Sequence, residues 1–250
     1  MTPEVPQDFR GLLKESTVAD CGALKVRILP VDKREGNVNK TKIEWCDYTW
    51  NPIKGYCPND CPYCYAHRMY DRFGWDKTLR LDEKELEAPA KLKKPSRIFV
   101  GSMIDMYHPD ISRDWVFSML NESYKAPWHT YISLTKFPRL YDYYVYTYRW
   151  WIGVTIEDRC RSWRQFWLKS NINAEVTKFI SFEPLLTNMY RVPIQDIDWI
   201  IIGGLTPSPV HKKAWIDDIV KRADALQIPI FIKDNAHYPI KRQEFPKEKK

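Results

Sequence analysis

Six short, nearly all-apolar runs constrain this chain more than any other feature of it: RIFVGS from Arg97, TYISLT from Thr130, WWIGVTI from Trp150, TKFISF from Thr177, DWIIIGG from Asp198 and IPIFIK from Ile228. A run that is apolar on successive residues is buried on both faces, as strands are in a parallel sheet covered by helices. Between the runs lie segments with helical spacing: ISRDWVFSMLNESYKA, FPRLYDYYVYTYR, DRCRSWRQFWLKS and KKAWIDDIVKRADALQ. The connection ahead of DWIII is shorter and is broken by Pro184 and Pro193. This alternation predicts βαβ units with right-handed crossovers, so that consecutive strands curl one way. A further strand in KIEWCDYTWNPIKGY brings the count to six or seven units, short of the eight of a closed barrel. The expectation is an α/β fold, a partial, open (β/α)6-type barrel of parallel strands. It is expected over 41–240, after an N-terminal extension at 1–40 and before a basic, frayed C-terminal tail at 241–250.

The last-mentioned strand runs into YCPNDCPYCY, which puts Cys57, Cys61 and Cys64 on one loop, with three and then two residues between them. Three thiolates this close suit a metal or a cluster. Iron-sulfur cubanes are normally held by four protein thiolates and structural zinc by four ligands, so one position is left to another group. Cys46 or His67 would complete a zinc site; His67 reads equally as a helix-surface residue, because YAHRMYDRFG predicts a short helix ending at Gly74. Cys21 and Cys160 stand apart.

In parallel α/β folds ligands meet the carboxyl ends of the strands. Here the runs end in Ser102, Asp105 and His108, in Thr135 and Lys136, in Thr155, Glu157 and Asp158, in Ser181 and Glu183, in Gly203 and Gly204, and in Lys233 and Asp234. Any one of these reads as a turn or a helix cap. In series on the rim that carries the cysteine loop, they predict a lined cavity. Gly203 and Gly204 would let the backbone approach a bulky ligand, or would simply make a tight turn. His211, in PSPVHKK, is expected in an exposed loop.

Composition narrows the partners. A net charge of +7 and a pI near 9.0 favour polyanions. Arg68, Arg72, Lys77 and Arg80, close after the cysteine loop, permit a nucleic acid or nucleotide, and a solvated helix face explains them equally well. No apolar run reaches the length of a membrane span, PEVPQDFRG after Met1 shows neither an apolar h-region nor a cleavage signal, so no signal peptide is expected, and six scattered or clustered cysteines do not make a disulfide scaffold. The expected location is cytoplasmic, with thiols reduced.

The loop Cys57, Cys61, Tyr63, Cys64 resembles the signature of the radical S-adenosylmethionine (AdoMet) superfamily, with its aromatic residue just before the last cysteine. The longer pattern, KIEWCDYTWNPIKGYCPNDCPYCYAHRM followed by GSMIDMYHP, LTKFP, GVTIED, SFEPLL and IIGG, is similar to the phage Gp37/Gp68 (DUF5131) family from about Thr41 to Asp234. CPYCY more distantly resembles spore photoproduct lyase. The resemblance implies a 4Fe-4S cluster on the three cysteines, AdoMet on the open iron, an external one-electron reductant and a 5′-deoxyadenosyl radical that takes hydrogen from a substrate. It implies AdoMet contacts from Tyr63, Ser102, Asp105, Thr155, Glu157, Glu183, Gly203 and Gly204, although GSMID departs from the usual Gly-Gly-Glu. A zinc or iron-sulfur module without AdoMet chemistry is the competing expectation.

Overall fold

Every one of the six apolar runs is a strand. The computed structural model describes residues 38–170 and 175–249. Along the chain these form β1 (Asn39–Lys40), β2 (Tyr48–Trp50), β3 (Ile53–Lys54), helix α1 (Tyr65–Phe73), β4 (Arg80–Leu81), the short helices α2 (Glu83–Leu86) and α3 (Ala88–Lys91), β5 (Arg97–Val100), α4 (Arg113–Tyr124), β6 (Thr130–Thr135), β7 (Trp150–Thr155), α5 (Arg164–Ser170), β8 (Thr177–Phe182), β9 (Trp199–Ile202), α6 (Lys213–Ala225) and β10 (Ile230–Ile232). The expected extension at 1–40 and Cys21 fall outside the described residues but for 38–40.

The main sheet has eight strands in the order β1-β2-β5-β6-β7-β8-β9-β10. Only β1 pairs antiparallel; each later pairing is parallel. Such sequential order follows from one-way crossovers, and register aligns the carboxyl ends: Val100 beside Ser133, Thr155 beside Ser181, Phe182 beside Ile202. The two sheet edges do not pair with each other. Glu44, between β1 and β2, reaches across instead: its carboxylate accepts from the Asp234 amide, at 3.1 and 3.2 Å to its two oxygens, and from Gln243 Nε2 at 3.0 Å.

Two apolar layers result. On one face Ile98, Val100, Ile152, Val154, Ile180 and Ile200 pack against α4, α5 and α6 through Val116, Met119, Leu168, Ile216 and Ile219. On the other, Trp151, Phe179, Trp199 and Phe231 converge with Trp45. Trp45 meets both Phe99 of β5, at 4.7 Å between ring centroids, and Trp199 of β9, at 6.3 Å, so the sheet curls and this second face is concave. In β7 the strand is glycine at 153 because a Cβ there would lie 2.4 Å from the Phe179 ring. The C-terminal run is not frayed. Phe245 packs on Trp199 at 5.6 Å with Arg97 stacked over it at 4.0 Å, and Lys249 Nζ donates to Val176 O and Asp198 at 3.1 and 2.8 Å.

One expected helix is missing. FPRLYDYYVYTYR gives only a 3-10 turn over Pro138–Tyr143. Tyrosine, valine and threonine are weak helix formers, and packing claims their rings: Tyr141, Tyr144 and Tyr146 are buried around Tyr107, with the Tyr141 hydroxyl donating to Gly153 O at 2.8 Å. Among the described residues no helix is long and apolar enough to cross a membrane.

A buried histidine ties the sheet to α3. His129, with no exposed surface, accepts at Nδ1 from the Ser96 amide (3.2 Å), so its proton is on Nε2, which faces Pro89 O and Leu92 O at 3.1 and 2.9 Å. Burial holds its pKa below the usual 6.5. The unfolded chain therefore binds the proton more readily, and this stability is full above about pH 6.5. It is lost as pH falls toward the depressed folded value. The unfolding midpoint should drop between about pH 7 and pH 5.5, and His129→Gln, weaker at neutrality, should drop less over that interval. Parallel pH dependences would place the linked proton on another group.

Candidate functional site

The cysteine loop is built from both sides before any ligand is considered. At its entrance β3 pairs with β4, and Gly55, with φ 112°, admits the backbone of Thr78 where a Cβ would lie 2.6 Å from the Thr78 oxygen. At its exit Cys64 is the N-cap of α1, so the positive end of that helix faces the loop. The helix ends, as expected, in Gly74 at φ 60°. His67 is not on the surface. It is buried, stacked on Tyr56 at 3.8 Å, and donates from Nε2 to the Cys57 carbonyl at 2.9 Å, so it braces the loop.

Cys57 is buried, and Cys61 and Cys64 are half-buried; none is in a disulfide. The Cys57 sulfur accepts from the Asp105 amide at 3.4 Å. Burial pushes the Cys57 thiol up to about 11, with the Asp105 and Asn59 amides pulling it back, and burial raises Cys61 against the pull of Lys136. Among the described residues no three His, Cys, Asp or Glu side chains are gathered closely enough to hold a metal ion. Thiols have no mutual attraction while they carry their protons, and a metal must displace those protons to draw them together. Cys46 is buried in the aromatic layer, its thiol pushed up to about 12 by burial and then by Asp47.

The polar strand ends fall into three groups, the first of which touches this loop through Asp105. Asp105, after β5, is turned into its own rim: it accepts from Thr135 Oγ1 at 2.7 Å and from the Lys136 and Tyr107 amides at 2.8 and 3.2 Å, while burial raises its pKa against those donors. Its backbone, rather than its carboxylate, meets Cys57. Ser102 donates to Asn51 Oδ1 at 3.1 Å, which also takes the Met103 amide at 3.2 Å, and the Ser102 carbonyl accepts the Tyr65 hydroxyl. His108 accepts from the Asp110 amide at 3.1 Å, within its own turn.

The second group is at the end of β7. Arg164, on α5, donates from Nη1 to both Glu157 and the Thr155 carbonyl at 2.7 Å, and only 7% and 13% of the Arg164 and Glu157 side chains are exposed. Arg164 Nε is buried without a protein partner. Tyr63 joins here: burial, then the Glu157 carboxylate and Cys61, push its phenol up, and Lys136 lies 5.8 Å from its ring. Third, Glu183 is ion-paired with Lys233, directly after β10. Gly203 leaves room for that carboxyl, since a Cβ would fall 2.8–2.9 Å from Glu183 atoms. At Gly204 the room is used by Asn235, whose side chain exchanges hydrogen bonds with the Gly204 amide and carbonyl at 3.2 and 3.0 Å. His211 is half-buried and bonded to Ala236 O at 2.9 Å.

Sequence reasoning missed Arg164, Asn51 and Tyr65. Arg164 was hidden among the arginines of DRCRSWRQ, and its one signal is position: the first turn of the helix after β7, seven residues beyond Glu157. The residues fit an iron-sulfur cluster in donor chemistry, with three free thiols, an amide aimed at one sulfur and a helix N-terminus behind another. The orphaned Arg164 Nε beside them fits an acceptor-bearing ligand.

These features define an α/β protein with a mostly parallel eight-stranded sheet, carrying a cysteine loop and two carboxylate–cation pairs at the carboxyl ends of its strands. Over residues 40–250 the chain matches the model of a family described as protein of unknown function (DUF5131), and it belongs to that family. Comparison with curated proteins and with solved structures gives no match.

Proposed function

We propose that this chain is a radical AdoMet enzyme on a partial (β/α) barrel. The observation that carries the reading is the position of three free cysteines, 57, 61 and 64, on one braced loop at the carboxyl-end rim of a parallel sheet. Bound together, a 4Fe-4S cluster and AdoMet supply reductive cleavage of the sulfonium to methionine and a 5′-deoxyadenosyl radical, which takes hydrogen from substrate. Cys57, Cys61 and Cys64 would hold the cluster. The Asp105 amide stabilises the Cys57 thiolate, and Asp105 itself fixes the loop after β5 beneath it. Glu157 and Glu183 offer acceptors for ammonium or ribose hydroxyl groups; their partners Arg164 and Lys233 fix them in direction. Arg164 Nε has one N–H to give a ligand oxygen. Tyr63, with Lys136 Nζ 5.8 Å from its ring, stands on the same loop.

The test is anaerobic reconstitution with iron and sulfide, followed by AdoMet and a strong reductant, with 5′-deoxyadenosine measured by chromatography. Its formation, dependent on reductant, is expected. Zinc in place of iron would overturn the reading, and so would a loaded cluster that yields no 5′-deoxyadenosine.

A further inference from the structure

Beside Glu157 the rim carries an arginine–aromatic surface that nothing in the site uses. The turn Arg159–Arg161 and helix α5 follow directly from β7, and the segment around Tyr190 lies against them: the Arg159 amide donates to Thr187 Oγ1 at 2.9 Å and the Leu186 amide to Glu157 O at 3.0 Å. Arg159 and Arg191 both stand over the Tyr190 ring, at 5.5 and 5.0 Å. Arg139 stands over Trp167 at 4.9 Å. Trp163, Phe166 and Tyr190 are 42%, 56% and 41% exposed, so their rings are open to a partner.

The charges differ from those of two other basic stretches. On α1 and after it, Lys77 pairs with Asp71 and Arg80 with Asp76, so that half of the basic group close to the cysteine loop is neutralised by neighbours. On α6 Lys213 pairs with Asp217 and Arg222 with Asp218. Arg139, Arg159, Arg161 and Arg191 have no acidic partner among the described residues. The nearby acids are engaged: Glu157 by Arg164, and Asp158 by the Cys160 amide at 2.7 Å. A guanidinium lying on a ring keeps its N–H edge for an outside acceptor.

We infer that this surface holds a single-stranded nucleic acid across the rim at Glu157, phosphates on Arg159, Arg161 and Arg191 and bases stacked on Tyr190 and Trp163. Unpaired arginines alone would suit any polyanion. Exposed rings interleaved with them select one whose flat faces are free, and a duplex hides its bases. Arg164 links the two regions, since it pairs with Glu157 and stands 5.9 Å from the Trp163 ring. A strand on this surface therefore passes the candidate site. That it is the substrate of that site rests on the enzyme reading above; that it binds does not.

The experiment uses the full chain without cluster or AdoMet and reads fluorescence anisotropy of labelled strands of about 20 nucleotides, longer than one site of this type. The arms are single-stranded DNA, single-stranded RNA, the duplex and polyglutamate. The expected result is tighter binding of one or both single strands than of duplex or polyglutamate; the tighter of DNA and RNA identifies the natural strand. Arg159→Glu/Arg191→Glu should weaken it at least tenfold and flatten the salt dependence by about 1.4 in log–log slope, roughly 0.7 for each lost phosphate contact. Tyr190→Ala should weaken single strands about fivefold or more. Lys91→Glu/Lys94→Glu, the same charge change ahead of β5 at the other end of the sheet, should leave binding within about twofold, since distant charges are screened. Equal losses in the two double variants, equal binding of polyglutamate, or no binding at about 50 mM salt would each overturn the inference. Circular dichroism confirms that the variants are folded. Strand binding without 5′-deoxyadenosine formation would sink the enzyme reading and leave this one standing.

Discussion

Cys61→Ala, reconstituted anaerobically, is expected to retain only background iron and sulfide where the unaltered chain takes up about four iron atoms. Two remaining thiolates leave two irons of a cubane without protein ligands, and such a cluster is lost on desalting. The loss is specific to ligation because Cys61 does little for the fold. Its side chain is half-buried, outside both apolar layers, and its backbone amide bonds to Asn59 O regardless of side chain. Cys160→Ala, at an exposed position off the loop, should load iron normally. Cys57→Ala is the less clean variant, since Cys57 packs in the main core and would lose both a ligand and a buried contact. Iron and acid-labile sulfide per chain, measured with the far-ultraviolet spectrum, decide the matter; a normal iron content in Cys61→Ala refutes the ligand assignment.

How much of this was legible in the sequence follows from how local each determinant is. Strands buried on both faces declare themselves through consecutive apolar residues, so β5 to β10 are where the pattern puts them, and α1 ends at the glycine that marks it. The Cys spacing survives any fold because it is held within one loop. Side-chain pairing across the fold leaves no local trace. Nothing in HRMYD distinguishes a surface histidine from His67 braced on the Cys57 carbonyl, and nothing in TKIEWC says that Glu44 spans the two edges of the sheet. The expected helix after β6 failed for a related reason, since its tyrosines have helical spacing but are recruited one by one into a buried cluster around Tyr107. The basic tail misled through composition: Phe245 and Lys249 have partners on the sheet that a count of lysines cannot reveal.

The Glu157–Arg164 pair separates structural from ligand-binding roles at the site. Arg164→Ala strands a carboxylate that is nearly out of water and also frees the Thr155 carbonyl, two penalties from one change. Breaking such a pair on one side costs about 3–5 kcal/mol, which in a domain of this size lowers the melting temperature by roughly 10 °C. Glu157→Gln should cost less, because the neutral amide oxygen still accepts from Arg164 and the guanidinium keeps its bond to the Thr155 carbonyl. Glu157→Gln/Arg164→Met, which removes both charges and keeps the volume, should recover most of the loss, as paired replacements of buried ions do. Stability thus returns in the double variant while the carboxylate charge and the spare Nε donor do not. If the pair only holds α5 to the end of β7, AdoMet affinity measured by calorimetry on the cluster-loaded chain returns with stability. If Glu157 and Arg164 meet the ligand, the double variant melts near the unaltered protein and binds AdoMet at least tenfold more weakly, and it is this second result that the orphaned, inward-buried Nε predicts.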